Sequence, residues 1–209
     1  APLTGDIITV NYQYNLNPSS NADTVDGIHA STTATANQLL ALNSRAQTGE
    51  WWEELGRATL GSAGDTLTIS SLVAKKYLLI LVSALPSGAI TPWLRFNNDS
   101  GNNYAVRYSA SFGAGATLTS QSGISLDPNS TATVVLGRLE IINIATEEKS
   151  GIGLAVARGT AGAGNAPANL EVYGKWANTS NQITRVDLVN TAGAGDFAAG
   201  TELIVLGHD

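Results

Sequence analysis

From residue 50 onward the chain is a succession of short runs rich in Val, Ile, Leu, Thr and Tyr, separated by Gly, Asn, Ser and Pro. Runs of this kind are typical of β-strands, and the residues between them are typical of turns. So many short strands, with no long helical pattern among them, predict an all-β fold, a jelly-roll-like β-sandwich. The predicted strands are Trp52–Leu60, Thr66–Ile69, Tyr77–Ala84, Ile90–Phe96, Tyr104–Ser109, Thr131–Ile142, Gly151–Arg158, Ala168–Trp176, Thr184–Asn190 and Thr201–Leu206.

The first 48 residues have a different character, because they contain few apolar side chains that could form a core of their own. One strand is predicted over residues 7–14, where apolar and aromatic side chains alternate onto one face. An isolated strand is not stable in water, so we expect this one to pair with another element or another chain. The residues of this predicted attachment segment are Ile8, Val10, Tyr12 and Tyr14.

A short helix is predicted over residues 31–47, since apolar residues recur there at three-to-four spacing and Gly49 follows. Its narrow apolar stripe suits either a coiled-coil seam in a trimer or packing against the main domain, and the sequence favours the second. We therefore predict an N-terminal extension, residues 1–48, with one strand and one short helix. It serves attachment or oligomerisation and precedes a β-domain over residues 49–209.

The charge pattern argues against several partners. Charged residues make up only 13% of the chain, the net charge is −6, and Lys75 and Lys76 are the only adjacent basic residues. Nucleic-acid binding requires a basic stripe that displaces counterions, so neither DNA nor RNA is expected. No apolar run approaches the roughly 20 residues that a spanning helix needs, so no membrane insertion is expected. The chain has no cysteine, which excludes disulfides and thiolate metal sites.

No pattern in the sequence predicts catalysis or a cofactor. The chain has two histidines, His29 and His208, and no Gly-x-Ser-x-Gly motif, so a Ser-His-Asp triad is not expected. The glycine clusters lack the Lys-Ser/Thr ending of a phosphate-binding loop. The neighbouring glutamates Glu53 and Glu54 lie in a predicted strand, where alternation is expected to bury one and expose the other. We therefore predict a protein that is not an enzyme.

The segment from Asn97 to Asn103 joins two predicted strands through Asn, Asp, Ser and Gly, and it predicts a hairpin tip. Its polar residues at alternate positions also resemble a calcium loop, in which Asp99 is the candidate ligand. An EF-hand loop requires Glu at its twelfth position, and that position is Tyr108 here. The alternative is a turn held by its own hydrogen bonds.

Carbohydrate binding has suitable residue types, because tryptophan stacks on sugar faces and Asn bonds to hydroxyl groups. Trp176 precedes a polar stretch and is expected to be exposed, whereas Trp93 lies in a strand pattern and is expected in the core. Trp176 and Asn178 are therefore the candidate glycan contacts.

Three segments, in chain order, carry a family resemblance. They are Ala22-Asp23-Thr24-Val25-Asp26-Gly27-Ile28-His29-Ala30, then Trp52-Glu53-Glu54-Leu55-Gly56-Arg57-Ala58-Thr59-Leu60, then Phe96-Asn97-Asn98-Asp99-Ser100-Gly101-Asn102-Asn103-Tyr104. The first resembles an Ala-Asp-Thr-Val-Asp-Gly-x-His-Ala element of phage tail-fibre and related virion proteins. The other two resemble the first strand and the Phe-Asn-x-Asp-x-Gly-x-Asn-Tyr motif of β-domains in structural proteins of tailed bacteriophages.

The resemblance implies a virion protein, assembled as a homotrimer, at the surface of the phage particle. It implies that residues 1–48 join other virion proteins and that the β-domain faces outward. We expect a non-enzymatic protein of the tail-fibre or receptor-binding type, with a host-surface glycan as a candidate partner. The chain lacks a shaft repeat, so a capsid decoration protein, of the cement or head-fibre kind, is the first alternative. A carbohydrate-binding or carbohydrate-active module outside a virus is the second.

Overall fold

The computed structural model describes residues 52–127, 132–193 and 195–209, all of which belong to one compact unit, Gly49–Asp209. These residues contain β-strands and no α-helix, so none of them forms a helix that could span a membrane. The strands are β1 (Glu53–Thr59), β2 (Thr66–Ile69), β3 (Tyr77–Ala84), β4 (Pro92–Phe96), β5 (Tyr104–Ala110), β6 (Ala116–Gln121), β7 (Ile124–Ser125), β8 (Val135–Ile142), β9 (Lys149–Ala157), β10 (Ala168–Trp176), β11 (Val186–Asn190) and β12 (Glu202–His208).

The predicted all-β class is confirmed, and every predicted strand overlaps an observed one. Strands β6 and β7 were not predicted, because β6 reads Ala-Thr-Leu-Thr-Ser-Gln and β7 has only two residues. Both lie at a sheet edge, where short and polar strands are common. The predicted extension over residues 1–48, with its strand and helix, lies outside the described residues and stays a prediction.

The strands form two antiparallel sheets. The larger sheet has the order β1-β12-β3-β8-β9-β10-β5-β6, and the smaller has the order β2-β11-β4-β7. The chain changes sheet at each step from β1 to β5, so neighbours in sequence are not neighbours in a sheet there. Residues far apart in the sequence are thereby brought into contact.

One hydrophobic core lies between the two sheets. In β3 the side chains of Leu78, Ile80 and Val82 alternate inward and are almost fully buried. The smaller sheet contributes buried side chains that include Leu94 and Leu188. Burying each large aliphatic side chain contributes roughly 1.5–3 kcal/mol, so this shared core is the main force that holds the sheets together.

A glycine sets the distance between the sheets at one point. Gly174 of β10 faces Ile124 of β7, and a Cβ atom at Gly174 would lie 2.7 Å from Ile124 Cδ1. Any larger residue would push β7 away from the larger sheet. The absence of a side chain therefore allows the close packing of the two strands.

Candidate functional site

The segment from Asn97 to Asn103 connects the two sheets. Its turn conformation agrees with the sequence, since Asn97 and Asn98 have φ angles of 52° and 59° in the left-handed region. The predicted hairpin is nevertheless wrong, because β4 pairs with β11 and β7, whereas β5 pairs with β10 and β6. Turn residues specify a change of direction, but the pairing of the flanking strands depends on the rest of the fold. We call this segment, together with Phe96, Tyr104, Lys149 and Trp176, the corner.

Asn97 fastens the corner to the segment that leads into β11. Its Oδ1 accepts hydrogen bonds from the backbone amides of Thr184 at 2.9 Å and Arg185 at 3.1 Å. Its Nδ2 donates to the carbonyl of Gln182 at 2.8 Å. These bonds add to the backbone hydrogen bond from the Asn97 amide to the Arg185 carbonyl, at 3.0 Å, where β4 ends.

Asp99 is the centre of the hydrogen bonds within the corner. Its Oδ1 accepts from the amide of Gly101 at 2.9 Å, and its Oδ2 accepts from Trp176 Nε1 at 2.7 Å. Asn103 Nδ2 donates to both carboxylate oxygens. Burial by itself would raise the pKa of Asp99, but the donors from Trp176, Asn103 and Gly101 outweigh it and hold the pKa below its usual value.

The carboxylate of Asp99 thus meets hydrogen-bond donors on both oxygens. This arrangement is the hydrogen-bonded turn that the sequence offered as the alternative to a calcium loop. Within residues 52–127, 132–193 and 195–209, no three His, Asp or Glu side chains are grouped so that they could hold a metal ion.

Trp176 is buried, so the prediction that it is exposed is wrong. Its side chain is 1% exposed and lies 6.3 Å from Tyr104 and 5.8 Å from Phe96 between ring centroids. Alternation along β10 explains this, because Val172, Gly174 and Trp176 all point inward. The indole therefore presents no face on which a sugar could stack.

Asn178, the other candidate glycan contact, closes the turn that follows β10. Its Oδ1 accepts hydrogen bonds from the amides of Ser180 at 3.0 Å and Asn181 at 2.9 Å. Its amide oxygen is already used within the chain, so its observed role is to shape this turn.

Lys149 is a buried cation that the sequence did not single out. Its Nζ donates to the carbonyls of Ala145, Glu147 and Asn178 at 3.1, 2.7 and 2.7 Å, and lies 5.8 Å from the ring centroid of Trp176. Burial lowers the pKa of Lys149, while the charge of Glu147 opposes that shift. The carbonyls and the aromatic ring together replace the water that a buried ammonium group loses.

The neighbouring glutamates of β1 do not form a catalytic pair. Glu53 and Glu54 are both exposed, and each contacts a basic side chain, Lys75 at 3.2 Å and Arg57 at 2.9 Å respectively. The predicted burial of one of them is wrong, since both side chains are exposed at the start of β1, the edge strand of the larger sheet. Trp93 is also not part of the main core and is only half-buried in β4.

A second region of interest lies on the outer face of the larger sheet. A shallow groove of about 860 Å³ crosses β8, β9, β10 and β5 there. Large apolar side chains at and beside it remain exposed: Leu136 by 59%, Ile152 by 64%, Leu154 by 43% and Tyr173 by 52%. We call these four residues the outer-face patch. Contiguous exposed apolar surface of this kind marks an interaction site more often than scattered single residues do.

The sequence of β9 explains why its aliphatic side chains point outward. Its inward positions, from Gly151 to Ala157, are all Gly or Ala, whereas Ile152, Leu154 and Val156 take the outward positions. A Cβ atom at Gly153 would lie 2.6 Å from Val172 Cγ1, so the inside has no room for larger residues. The alternation of small and large apolar residues was the signal that could have identified the patch, and the sequence reasoning missed it.

Charged side chains surround the outer-face patch. Lys175 forms an ion pair with Glu148 at 2.6 Å. Four others have no hydrogen bond or ion pair to the part of the chain that the structure describes: Arg107, Arg138, Glu140 and Glu171. The region thus combines exposed apolar contact surface with charges of both signs that are free to bind.

Comparisons of the chain with protein-family models, with curated proteins and with solved structures found no match.

Proposed function

We propose that this chain is a surface protein of the virion of a tailed bacteriophage, of the tail-fibre or receptor-binding type, and that it is not an enzyme. Residues 1–48 join the particle and neighbouring copies in a homotrimer. Residues 49–209 form a jelly-roll-like domain that is displayed outward. The repeated change of sheet from β1 to β5 supports the jelly-roll-like topology.

The observation that carries this proposal is the occurrence of three phage-like segments in the expected order. In the third segment, the residues that define the motif build the corner. Asn97 and Asp99 organise its hydrogen bonds, and the Tyr104 hydroxyl accepts from the amide of Phe96 at 2.9 Å and lies 3.1 Å from the Asp99 carbonyl. The residues that define the motif thus have a structural role in joining the two sheets, and this supports the use of the motif as a marker of a fold.

A capsid decoration protein is the second candidate. No shaft repeat occurs in these residues, and a compact β-domain suits a projection on a shell as well as it suits a tail tip. A carbohydrate-binding module outside a virus is the third. It is supported by the groove on the outer face, where the exposed ring of Tyr173 offers a surface for a sugar, the same chemistry by which a host glycan would bind.

Immunogold electron microscopy of purified phage particles tests the proposal. Antibodies are raised against the full chain, and labelling at the tail supports the tail-fibre type. Labelling over the shell favours the decoration protein, and particles that contain no label overturn the virion proposal. Hydrolysis of a cell-surface polysaccharide by the purified chain, detected as released sugar, would contradict the non-enzymatic part.

A further inference from the structure

The outer face of the larger sheet carries more apolar residues than the outer-face patch alone. Beside the outer-face patch, the outward positions of β3 and β12 hold Leu79, Leu81, Ile204 and Leu206, all half-buried. An antiparallel sheet with one solvated face normally alternates between apolar and polar residues, whereas a sheet covered on both sides is apolar throughout. The outer face of this sheet mixes the two patterns: β9 is apolar on both sides, and charged residues stand on the flanking strands.

One row of cross-strand neighbours on this face is complementary to itself. Arg107 of β5 lies opposite Tyr173 of β10, which lies opposite Ile152 of β9, which lies opposite Glu140 of β8. The row reads cation, apolar, apolar, anion. Neither Arg107 nor Glu140 has a charged partner among the described residues. A second copy of the same row, turned through a half rotation, presents an anion to each cation.

We propose that a second copy of this chain packs on the outer-face patch, about a two-fold axis that runs along the strands between β9 and β10. Rotation about this axis places β5 of one copy opposite β8 of the other, and β10 of one copy opposite β9 of the other. Arg107 of each copy then faces Glu140 of the other, and Tyr173 of each copy faces Ile152 of the other. The contact is isologous, since the same surface serves both copies.

The area of the face is sufficient for such a contact. The axis between β9 and β10 overlays the six strands from β3 to β6 in the sheet order. Six strands roughly 4.8 Å apart, with seven or so residues of about 3.4 Å each, span on the order of 700 Å². A standard stable interface buries about 600–1,000 Å² on each partner, so this area lies within that range. The proposal depends only on the β-domain, so it holds whether or not the chain belongs to a virion. Where residues 1–48 also join three copies, the contact pairs β-domains of two such trimers, because a two-fold contact cannot close among three copies.

Single-cysteine cross-linking of the full chain tests this contact directly, because the chain has no cysteine of its own. In Ile152→Cys the introduced thiols of two copies lie on either side of the axis, so a short bismaleimide should convert the protein to covalent dimers at micromolar concentration. Val73→Cys is the matched control, since Val73 is also 64% exposed but lies in the loop after β2. Equal cross-linking of the two variants, or none at Ile152→Cys although a monofunctional maleimide labels it, would overturn the proposal.

A charge swap tests the pairing. Arg107→Glu or Glu140→Arg alone places like charges opposite each other and should weaken the contact by about 10- to 100-fold, measured as cross-linking yield of Ile152→Cys against concentration. The combined Arg107→Glu and Glu140→Arg variant has the same net charge as the parent and should recover the yield to within about threefold. Failure of the double variant to recover, with its near-ultraviolet circular dichroism unchanged, would show that the two side chains do not meet. A failed cross-link would overturn this contact but not the virion proposal. Unlabelled phage particles would overturn the virion proposal but not this contact.

Discussion

The corner and the outer-face patch use the same strand, β10, in opposite ways. At the corner, Trp176 points inward, and the charged side chains of Asp99 and Lys149 beside it are surrounded by hydrogen-bond partners. On the patch, Tyr173 points outward among exposed aliphatic residues, and Arg107 and Glu140 have no charged partner in the described part of the chain. Buried polar groups that are fully bonded stabilise the fold, whereas exposed apolar groups beside free charges are available to bind another surface.

The largest expected difference between the two regions is the cost of removing an aromatic ring. Trp176→Ala leaves a cavity among Phe96 and Tyr104 and should lower the free energy of unfolding by about 3–5 kcal/mol. Tyr173→Ala is the matched control on the same strand and should cost under about 1 kcal/mol in dilute protein, because that ring is half exposed. Urea denaturation of both variants measures the difference, and equal losses would contradict the division between core and surface.

The next effect is the loss of the carboxylate at the centre of the corner. Asp99→Ala leaves the buried Trp176 Nε1 without an acceptor and opens the turn at Gly101, so we expect a loss of about 2–4 kcal/mol. Asp99→Asn keeps one acceptor oxygen and should cost less than Asp99→Ala. Thermal and urea unfolding test this order, and a smaller loss in Asp99→Ala than in Asp99→Asn would contradict the role of the Asp99 oxygens as acceptors.

The pH dependence of stability gives a smaller effect from the same group. The folded protein holds the pKa of Asp99 below its usual value, so folding favours the ionised form. The stability that Asp99 contributes is therefore present above about pH 4 and is lost as the pH falls through its lowered folded-state pKa. Between about pH 4 and pH 2, we expect Asp99→Asn to lose less stability than the parent. Urea unfolding at each pH measures this loss. Parallel pH profiles would contradict the lowered pKa.

The smallest effect on folding is expected on the patch. Ile152→Thr keeps a β-branched residue in the strand and should change the free energy of unfolding by under about 0.5 kcal/mol at low protein concentration. Ile80→Thr places the same change in the core, where the side chain is fully buried, and should cost more than 1 kcal/mol or so. A large loss in Ile152→Thr at low concentration would show that the patch is covered within a single chain.

Most of the strands were predictable from the sequence, because the alternation of apolar residues and the intervening turn residues are local properties. The turn at Asn97 was predictable for the same reason. The hairpin was not, because β4 and β5 find their partners in different sheets through residues distant in the chain. Trp176 was wrongly predicted to be exposed, and Lys149 was not singled out. Both stand beside polar residues in the sequence, so nothing local indicates that their side chains lie inside the fold.

The sequence by itself determined an all-β domain with a polar turn between Phe96 and Tyr104, and it pointed to a class of particle through a resemblance. The tertiary structure alone decided that Asp99 bonds to Trp176, 77 positions away in the chain, and that the aliphatic residues of β9 face outward. The physical reason is that the formation of a strand depends on residues close together in the sequence. The burial of a side chain depends on which strands, distant in the sequence, pack against it. The turn that resembled a calcium loop is thus part of the framework, and the exposed sheet face is where we expect this protein to make contact.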